Sequence, residues 1–544
     1  MNRPTLSEAF TPKLVTVFRE GYGRRDLRAD LVAGVTVAIV ALPLAMALGI
    51  ASGASPREGL VTAIVAGFLI SALGGSRVQI GGPTGAFVVI VAGVIAAHGA
   101  SGLILATILA GLILIAAGYA GVGKLMRYVP MPVVTGFTAG IAVIIASSQV
   151  GDFLGLAARG VPADVIGKWI AYGGALATVN WTALAVGAGT LGLIILMKGM
   201  APRWPGYLIA IVAATASAAL LQLPVETVGD RFHSMATGMP VVRLPEFSLP
   251  LLREVMPSAF VIAFLAGIEA LLSATVADGM TGRRHRSGQE LVGMGLANIA
   301  SGFFGGLPAT GAIARTATNI RAGARSPMAG IFHALFVLLF TMLAGGLLAM
   351  VPMAALAAVL LMVAWGMSEF DRFVALVRTD AGERGLLVLT FLLTVFVDLT
   401  VAIGVGVTLA ALLFMMRMSE TAGLVAVDAG EEPGLRDQLP DGVEVFRFTG
   451  PIFFGVAGEM LEALRRAGDR PRAIVLRMEQ VPYIDATGAN ALATFVRQAN
   501  AAATEVWLAG LQEQPRKFLA RLEPRFAGAK RASSWSAALR RLAG

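Results

Sequence analysis

The sequence predicts a polytopic α-helical membrane protein of 14 membrane segments, arranged as two inverted repeats of seven, followed by a small α/β domain. Three observations carry this. Of 544 residues, 56% are hydrophobic and 14% charged, with a mean hydropathy of +0.76, whereas a soluble domain is about 45–50% apolar and about 25% charged. Apolar runs follow one another from about residue 31 to 416. The runs also repeat. Gly59–Gly75 (GLVTAIVAGFLISALGG) resembles Glu290–Gly306 (ELVGMGLANIASGFFGG), GGPTGA at Gly81–Ala86 parallels GLPATGA at Gly306–Ala312, and Val129-Pro130-Met131 returns as Val351-Pro352-Met353. All three pairs share an offset of roughly 220 to 230 residues.

Residues 1–30 carry Arg3, Lys13, Arg19, Arg24, Arg25 and Arg28 and no cleavable signal-peptide pattern. They read as a cytoplasmic segment on the membrane surface. Seven spans follow at about 31–50, 58–75, 84–97, 102–121, 131–153, 181–198 and 206–221. A polar stretch at about 222–252 separates them from seven more at about 254–277, 289–304, 313–323, 327–350, 353–367, 385–398 and 400–416. A full crossing takes about 20 residues, so the shortest runs read as half-helices completed by extended breaks. An odd number of spans per repeat forces the second repeat upside down.

Loop charge fits this order. Loops expected inside hold Arg77; Lys124 and Arg127; Lys198 and Arg203; Arg283, Arg284 and Arg286; Arg321 and Arg325; Arg372, Arg378 and Arg384; and Arg417. Those expected outside hold Arg57; Arg159 and Lys168; then Arg231, Arg243 and Arg253. The positive-inside rule then puts both termini in the cytoplasm of a bacterial inner membrane. It also explains the net charge of +9 without a nucleic-acid partner. The chain has no cysteine, and its four histidines lack zinc-ligand spacing. Without a catalytic triad, metal cluster or nucleotide loop, neither an enzyme nor a cofactor is expected.

The transmembrane domain spans 31–418 and a linker 419–438. Residues 439–544 have soluble composition, with strand patterns at Val443–Gly450, Ala473–Val481 and Glu505–Gly510. Helical patterns fill about 453–468, 487–503, 512–522 and 534–543, as in a small α/β domain.

The two repeated breaks draw attention first. Gly305, Gly306 and Pro308 end a helix at membrane depth, then Thr310, Gly311 and a lone Arg315 follow. Irregular backbone there is tolerated only where protein buries it or where it lines a wet cavity. A helix restarting after the break aims unpaired N–H groups and a positive dipole end at its surroundings. Paired Gly/Pro-interrupted segments in two repeats point to a transporter site, and the arginine one turn in points to an anion.

ALPLAMALGIASG (Ala41–Gly53), QIGGPTGAF (Gln79–Phe87), GIEALLSATVAD (Gly267–Asp278) and PATGAIARTATNIRAG (Pro308–Gly323) resemble the sulfate permease family, also called solute carrier family 26. FTGPIFFGVAG (Phe448–Gly458) and VPYIDATGANAL (Val481–Leu492) resemble a STAS domain, found in these permeases and in anti-sigma-factor antagonists. The resemblance implies a uracil-permease-like fold, a core domain moving against a gate domain like an elevator, anion binding between half-helices three and ten, a homodimer, and a cytosolic STAS domain. Substrates across the family include sulfate, bicarbonate, chloride, oxalate and dicarboxylates.

Carried onto this chain, the resemblance assigns the anion site to Thr84, Gly85, Ala86 and Phe87 on one side. Thr310, Gly311, Ala312, Ile313 and Arg315 form the other, with Pro43, Leu44 and Met46 at a break in span one. Their main offering is backbone N–H, with Thr84 and Thr310 adding hydroxyls. The bland alternatives are helix-breaking glycines and prolines, a packing Phe87, and an Arg315 paired with a backbone carbonyl or a carboxylate. Glu269 matches the coupling position, with Ser273 one turn on along the same face; the alternative is a fixed ion pair. Asp278, nearer the span end, reads as structural. Ile313 stands where cyanobacterial sodium-dependent bicarbonate transporters have a threonine that helps bind sodium, which favours a proton over sodium. Leu44 stands where many relatives have glutamine.

In the STAS tail, Ala486 replaces the serine that anti-sigma-factor antagonists phosphorylate, which excludes that switch, and Thr487 reads as a helix N-cap. Arg516, Lys517, Arg521, Arg540 and Arg541 read as a solvated or lipid-facing surface. The expected activity is proton-coupled transport of a small oxyanion, sulfate first. The alternatives are bicarbonate or C4-dicarboxylate transport or exchange, channel-like anion conductance, and a membrane sensor or scaffold acting through the STAS domain.

Overall fold

The computed structural model describes residues 9–543 apart from 125–129, 159, 163, 202–203, 233–239, 243–247, 422, 427–438, 454–470 and 527. Arg3, Arg127, Arg159, Arg203 and Arg243, most of the expected 419–438 linker and nearly all of the expected 453–468 helix lie outside the described residues. The chain divides into two compact units, Met1–Val407 and Thr408–Gly544.

The first unit opens with α1 (Lys13–Glu20), α2 (Arg24–Ala51), α3 (Pro56–Leu73), β1 (Gly81–Gly82) and α4 (Val88–Tyr119). Then come α5 (Met131–Leu154), α6 (Val165–Ala175), α7 (Trp181–Met200), α8 (Gly206–Leu220) and α9 (Val228–Phe232). The second repeat brings α10 (Leu249–Thr281), α11 (Ser287–Phe303), β2 (Thr310–Gly311), α12 (Ile313–Arg321), α13 (Met328–Ala349) and α14 (Met353–Met367). After these follow α15 (Phe370–Val377), α16 (Ala381–Phe396) and α17 (Leu399–Thr421), which runs on into the second unit. Among the described residues, nine helices are long and apolar enough to cross a bilayer.

Several boundaries differ from the sequence reading, each for a local reason. The first membrane helix begins at Arg24, because the Asp26 carboxylate accepts the Gly23 N–H at 3.2 Å and starts the helix before the apolar run. Pro43 does not break α2; the helix runs on through it. Its missing N–H is tolerated where neighbouring helices enclose the turn, and Pro43 is buried. The third and fourth runs, by contrast, are two helices within α4, as the sequence reading has them, joined across a non-helical Gly99 (φ 65°, ψ −165°), a conformation glycine adopts without steric cost. A helix, α6, replaces the loop expected around Lys168, and the Asp164 carboxylate caps it by accepting the Gly167 N–H at 2.6 Å.

The helices sort into two groups. α2, α3, α4, α10, α11, α12 and α13 pack mainly on one another, and α5, α7, α8, α14 and α16 form the second group. Small residues let the first group close up. Gly111 of α4 faces Gly295 of α11, where a methyl on either would lie 2.5 Å from the other's carbonyl oxygen.

One end of this group is latched by α1. The Lys13 N–H donates to the Gly74 carbonyl at 3.0 Å, and Arg286 donates to the Thr11 carbonyl at 2.7 Å and the Thr16 hydroxyl at 2.8 Å. Arg77 pairs with Glu20 and holds its carboxyl below the usual range. Burial lowers the Lys13 ammonium, with Arg286 and Arg77 adding to the effect.

The second unit is a five-stranded sheet in the order β3 (Gly423–Ala426), β4 (Val443–Thr449), β5 (Ala473–Gln480), β6 (Glu505–Ala509) and β7 (Ala529–Ala532). β3 is antiparallel to β4 and the other pairs are parallel. Among the described residues this unit's helices after β5 are α18 (Ala486–Ala501), α19 (Glu513–Ala520) and α20 (Trp535–Ala543). Phe446, Leu476 and Met478 pack with Leu492, Val496 and Leu519, while Val445, Val475 and Trp507 pack with Leu539 and Leu542. Both faces are covered, as a mostly parallel sheet requires. β3 falls within the stretch read as linker; pairing along Phe446–Thr449 makes a strand of it. Asp485, not Thr487, caps α18, because its carboxylate reaches the Gly488 N–H at 2.7 Å while Thr487 is already inside the first turn. Arg516, Lys517, Arg521, Arg540 and Arg541 are exposed, with Lys517 bridged to Glu513 at 2.5 Å.

Candidate functional site

The two helix breaks meet. β1 and β2 form an antiparallel pair, Gly81 opposite Gly311 and Gly82 opposite Thr310, as an inverted repeat requires. The Ala312 N–H extends the pair by donating to the Ile80 carbonyl at 2.8 Å.

Buried polar side chains take up the backbone groups that the second break frees. Gly305 turns the chain at φ 69°, and the Gly306 N–H returns to the Ser301 carbonyl at 2.7 Å. The Thr62 hydroxyl accepts the Leu307 N–H at 2.6 Å, and the Ser301 hydroxyl donates to the Leu307 carbonyl at 2.7 Å. The Asn298 amide answers both the N–H and the carbonyl of Ala309 at 2.9 Å. An extended break at this depth is affordable only with such partners.

From this ladder two helices start side by side. One is α12 at Ile313; the other is a single turn at Gly85–Phe87 that leads into α4. Helix geometry leaves the first N–H groups of each without an intrahelical partner, and both positive dipole ends converge. The surroundings require small residues. A methyl on Gly311 would overlap the Gln79 amide, one on Gly82 would lie 2.6 Å from Arg315 Nη1, and one on Gly85 would overlap the Met367 thioether of α14.

Arg315 is buried and donates from Nη2 to the Pro83 carbonyl, so the backbone-carbonyl alternative holds for one donor. Nε and Nη1 have no partner among the described residues. Glu269 is half-buried, accepts the Thr84 hydroxyl at 3.0 Å, and lies within electrostatic reach of Arg315 without forming an ion pair among the described residues. Ser273 turns elsewhere and donates to the Thr316 hydroxyl at 3.2 Å, which accepts the Ile80 N–H at 3.0 Å. The Thr310 hydroxyl is committed to the Ala266 carbonyl at 2.8 Å.

Thr84, Leu44 and Glu269 are half-buried and Ile313 is 40% exposed, whereas Gly85, Ala86, Gly311 and Ala312 are buried in the backbone floor. Phe87 and Met46, at 2% and 1% exposure, are packed into the core. Asp278 is bound to His285, whose Nδ1 lies 2.7 Å from its carboxylate. Sequence reasoning missed Thr62, Asn298, Thr316, Gln79 and Asn319. Each is a polar residue in or beside an apolar run, a signal open to anyone asking which backbone groups a break must satisfy.

The sulfate permease family profile matches residues 27–390, well over half of the chain. The chain belongs to the sulfate permease family. A STAS domain profile matches residues 436–524. The candidate sulfate transporter YvdB of Bacillus subtilis is 38% identical over 505 residues, which cover 92% of this chain and 94% of the relative. The bicarbonate transporter BicA of Picosynechococcus is 32% identical, covering 92% and 91%. Among solved structures, the transmembrane domain of a cyanobacterial BicA superposes with a TM-score of 0.61 at 30% identity, covering 72% of this chain and 98% of that one. The murine solute carrier 26 family member A9 gives 0.84 at 17% identity, covering 96% and 92%, which shows a shared fold. As a sulfate permease this is a multi-pass membrane protein, and the family's activity is anion transport rather than enzymatic catalysis.

Proposed function

We propose that this sulfate permease carries a small oxyanion, sulfate first, across the bacterial inner membrane by elevator-type alternating access coupled to a proton. The observation that carries the reading is the pair of half-helix starts locked by β1 and β2, with the Arg315 guanidinium buried one turn behind. Converging N–H groups replace the water an oxyanion leaves, and a preorganised cation adds field at low dielectric. The residues assigned are Thr84, Gly85, Ala86, Gly311, Ala312, Ile313 and Arg315, with Leu44 of α2. YvdB, described as a candidate sulfate transporter, favours sulfate. BicA, a bicarbonate transporter at 32% identity, supports bicarbonate as the second reading.

Elevator motion is supported by the two helix groups, the first of which holds both half-helices. Coupling is assigned to Glu269, bound to Thr84 of the opposite repeat. Moving two negative charges inward against 100 mV costs about 4.6 kcal/mol, and each accompanying proton removes about 2.3 kcal/mol of that. Ile313 offers no side-chain oxygen, which favours a proton over sodium. We assign a homodimer, with both termini and the STAS domain, residues 439–544, in the cytosol.

The test is labelled-anion uptake into proteoliposomes, with sulfate, bicarbonate and fumarate compared under an inward proton gradient. Gradient-driven sulfate accumulation, lost in Glu269→Gln, is expected. Accumulation of bicarbonate alone would establish the second reading. Equal flux in both proteins without accumulation would remove coupling and leave exchange or channel-like conductance.

A further inference from the structure

Behind the anion site, the first helix group carries polar side chains that no protein group answers. Ser71 of α3, Gln79, Arg315 and Asn319 of α12, and His333 of α13 are 0 to 4% exposed. Ser71 Oγ, both amide atoms of Gln79, Nε and Nη1 of Arg315, Asn319 Oδ1 and both ring nitrogens of His333 have no hydrogen-bond partner among the described residues. These groups adjoin one another. Arg315 and Asn319 are one turn apart on α12, and Asn319 Nδ2 donates to the Val78 carbonyl at 2.9 Å. Along the same segment Gln79 lies against Gly311, and Gly82 against the Arg315 guanidinium. The Ile80 side chain and the Ser71 hydroxyl meet over Gly330 of α13. His333 is one turn further along α13 and within electrostatic reach of Arg315.

A dry orphan donor or acceptor is costly to bury, and native proteins answer such groups with internal water that makes two to four hydrogen bonds. The strip offers donors in Arg315 and the Gln79 amide. It offers acceptors in Asn319 Oδ1 and Gln79 Oε1, and groups of either kind in His333 and Ser71. That mixture suits water. A cation would be repelled by the guanidinium, and an anion would be repelled by the acceptors.

We propose that Ser71, Gln79, Arg315, Asn319 and His333 bind a file of internal water that runs from behind Arg315 to His333. Water, not a carboxylate, then answers the guanidinium's spare donors. The charge is not neutralised by a counter-ion, so its field remains directed at the anion. This role of the water rests on the assignment of Arg315 to the anion site; the existence of the file does not.

The test is radiolytic hydroxyl-radical labelling in ¹⁸O-water of the full chain in nanodiscs. It reads His333 against Phe137 of α5, an apolar side chain of equal burial, after correction for intrinsic reactivity. Bound water predicts labelling of His333 at least tenfold faster than of Phe137. Equal protection of the two would overturn the proposal. Melting of His333→Leu is the second reading. Removing a hydrated group lowers the melting temperature, whereas an unchanged or raised value means the site is dry and overturns the file. Neither readout depends on transport, so failure of sulfate uptake would leave both interpretable.

Discussion

Gly311→Ala probes the locked pair of breaks with a single methyl. The backbone at Gly311 needs no positive φ, so the cost is contact, not strain. The added carbon would overlap the Gln79 amide nitrogen and lie 2.6 Å from its Cδ and 3.2 Å from its Cγ. Gln79 is 4% exposed and cannot swing into solvent. Overpacking of this kind costs about 1–3 kcal/mol, and in a unit of Met1–Val407, larger than 250 residues, each kcal/mol lowers the melting temperature by at most about 2 °C. A fall of a few degrees is expected. Because β2 leads directly into α12, sulfate uptake should fall about tenfold as well, the equivalent of about 1.4 kcal/mol. Truncating the obstacle in Gln79→Ala/Gly311→Ala should recover most of both losses. Gly189→Ala on α7, where a methyl meets nothing within 4 Å, should change neither. Melting and uptake are measured on the same purified proteins. Wild-type values for Gly311→Ala, or no recovery in the double variant, would refute the tight seating of β2 against Gln79.

Other expectations follow from single contacts. Asn298→Ala leaves the buried N–H and carbonyl of Ala309 unanswered, at about 1–3 kcal/mol each; melting should drop by more than in Gly311→Ala, and uptake should be lost. Thr84→Val removes the hydroxyl that donates to Glu269 at 3.0 Å, a bond to a charged group of about 1.5–3 kcal/mol. Proton-driven uptake should fall at least tenfold with a changed pH profile, and an unaltered profile would dissociate Thr84 from coupling. Arg77 depresses the Glu20 carboxyl, so the stability this pair adds is present above the unfolded value near pH 4.5 and is lost as pH falls through the depressed value. Protection of α1 from hydrogen exchange should fade as pH falls below that unfolded value, whereas Arg77→Gln should start lower and lack this fade, and the effect is small because Glu20 is exposed.

The membrane segments were legible because hydropathy and loop charge are local, and the inverted repeat because its breaks recur in sequence. The pairing of Gly81 with Gly311 was not, since it joins residues 230 positions apart. α6 escaped notice because eleven residues with three glycines are a weak helical pattern until Asp164 caps them. Pro43 misled in the opposite direction, because enclosing helices tolerate a missing N–H that the sequence alone marks as a break. The residues proposed for the anion site were legible through their likeness to a family. Their partners were not. That Arg315 would find the Pro83 carbonyl, Thr84 would find Glu269, and Ser273 would find Thr316 depends on which faces the folded helices present.

The most direct measurement is sulfate-induced thermal stabilisation of the purified protein, compared between wild type and Arg315→Met. A ligand that binds only the folded state at 100 times its Kd stabilises by about 2.7 kcal/mol, so wild type should melt several degrees higher in saturating sulfate. Without the guanidinium behind the paired half-helices, Arg315→Met should show little or no shift at the same sulfate concentration. An equal shift in the two proteins would contradict an anion site built on Arg315 and the two helix starts.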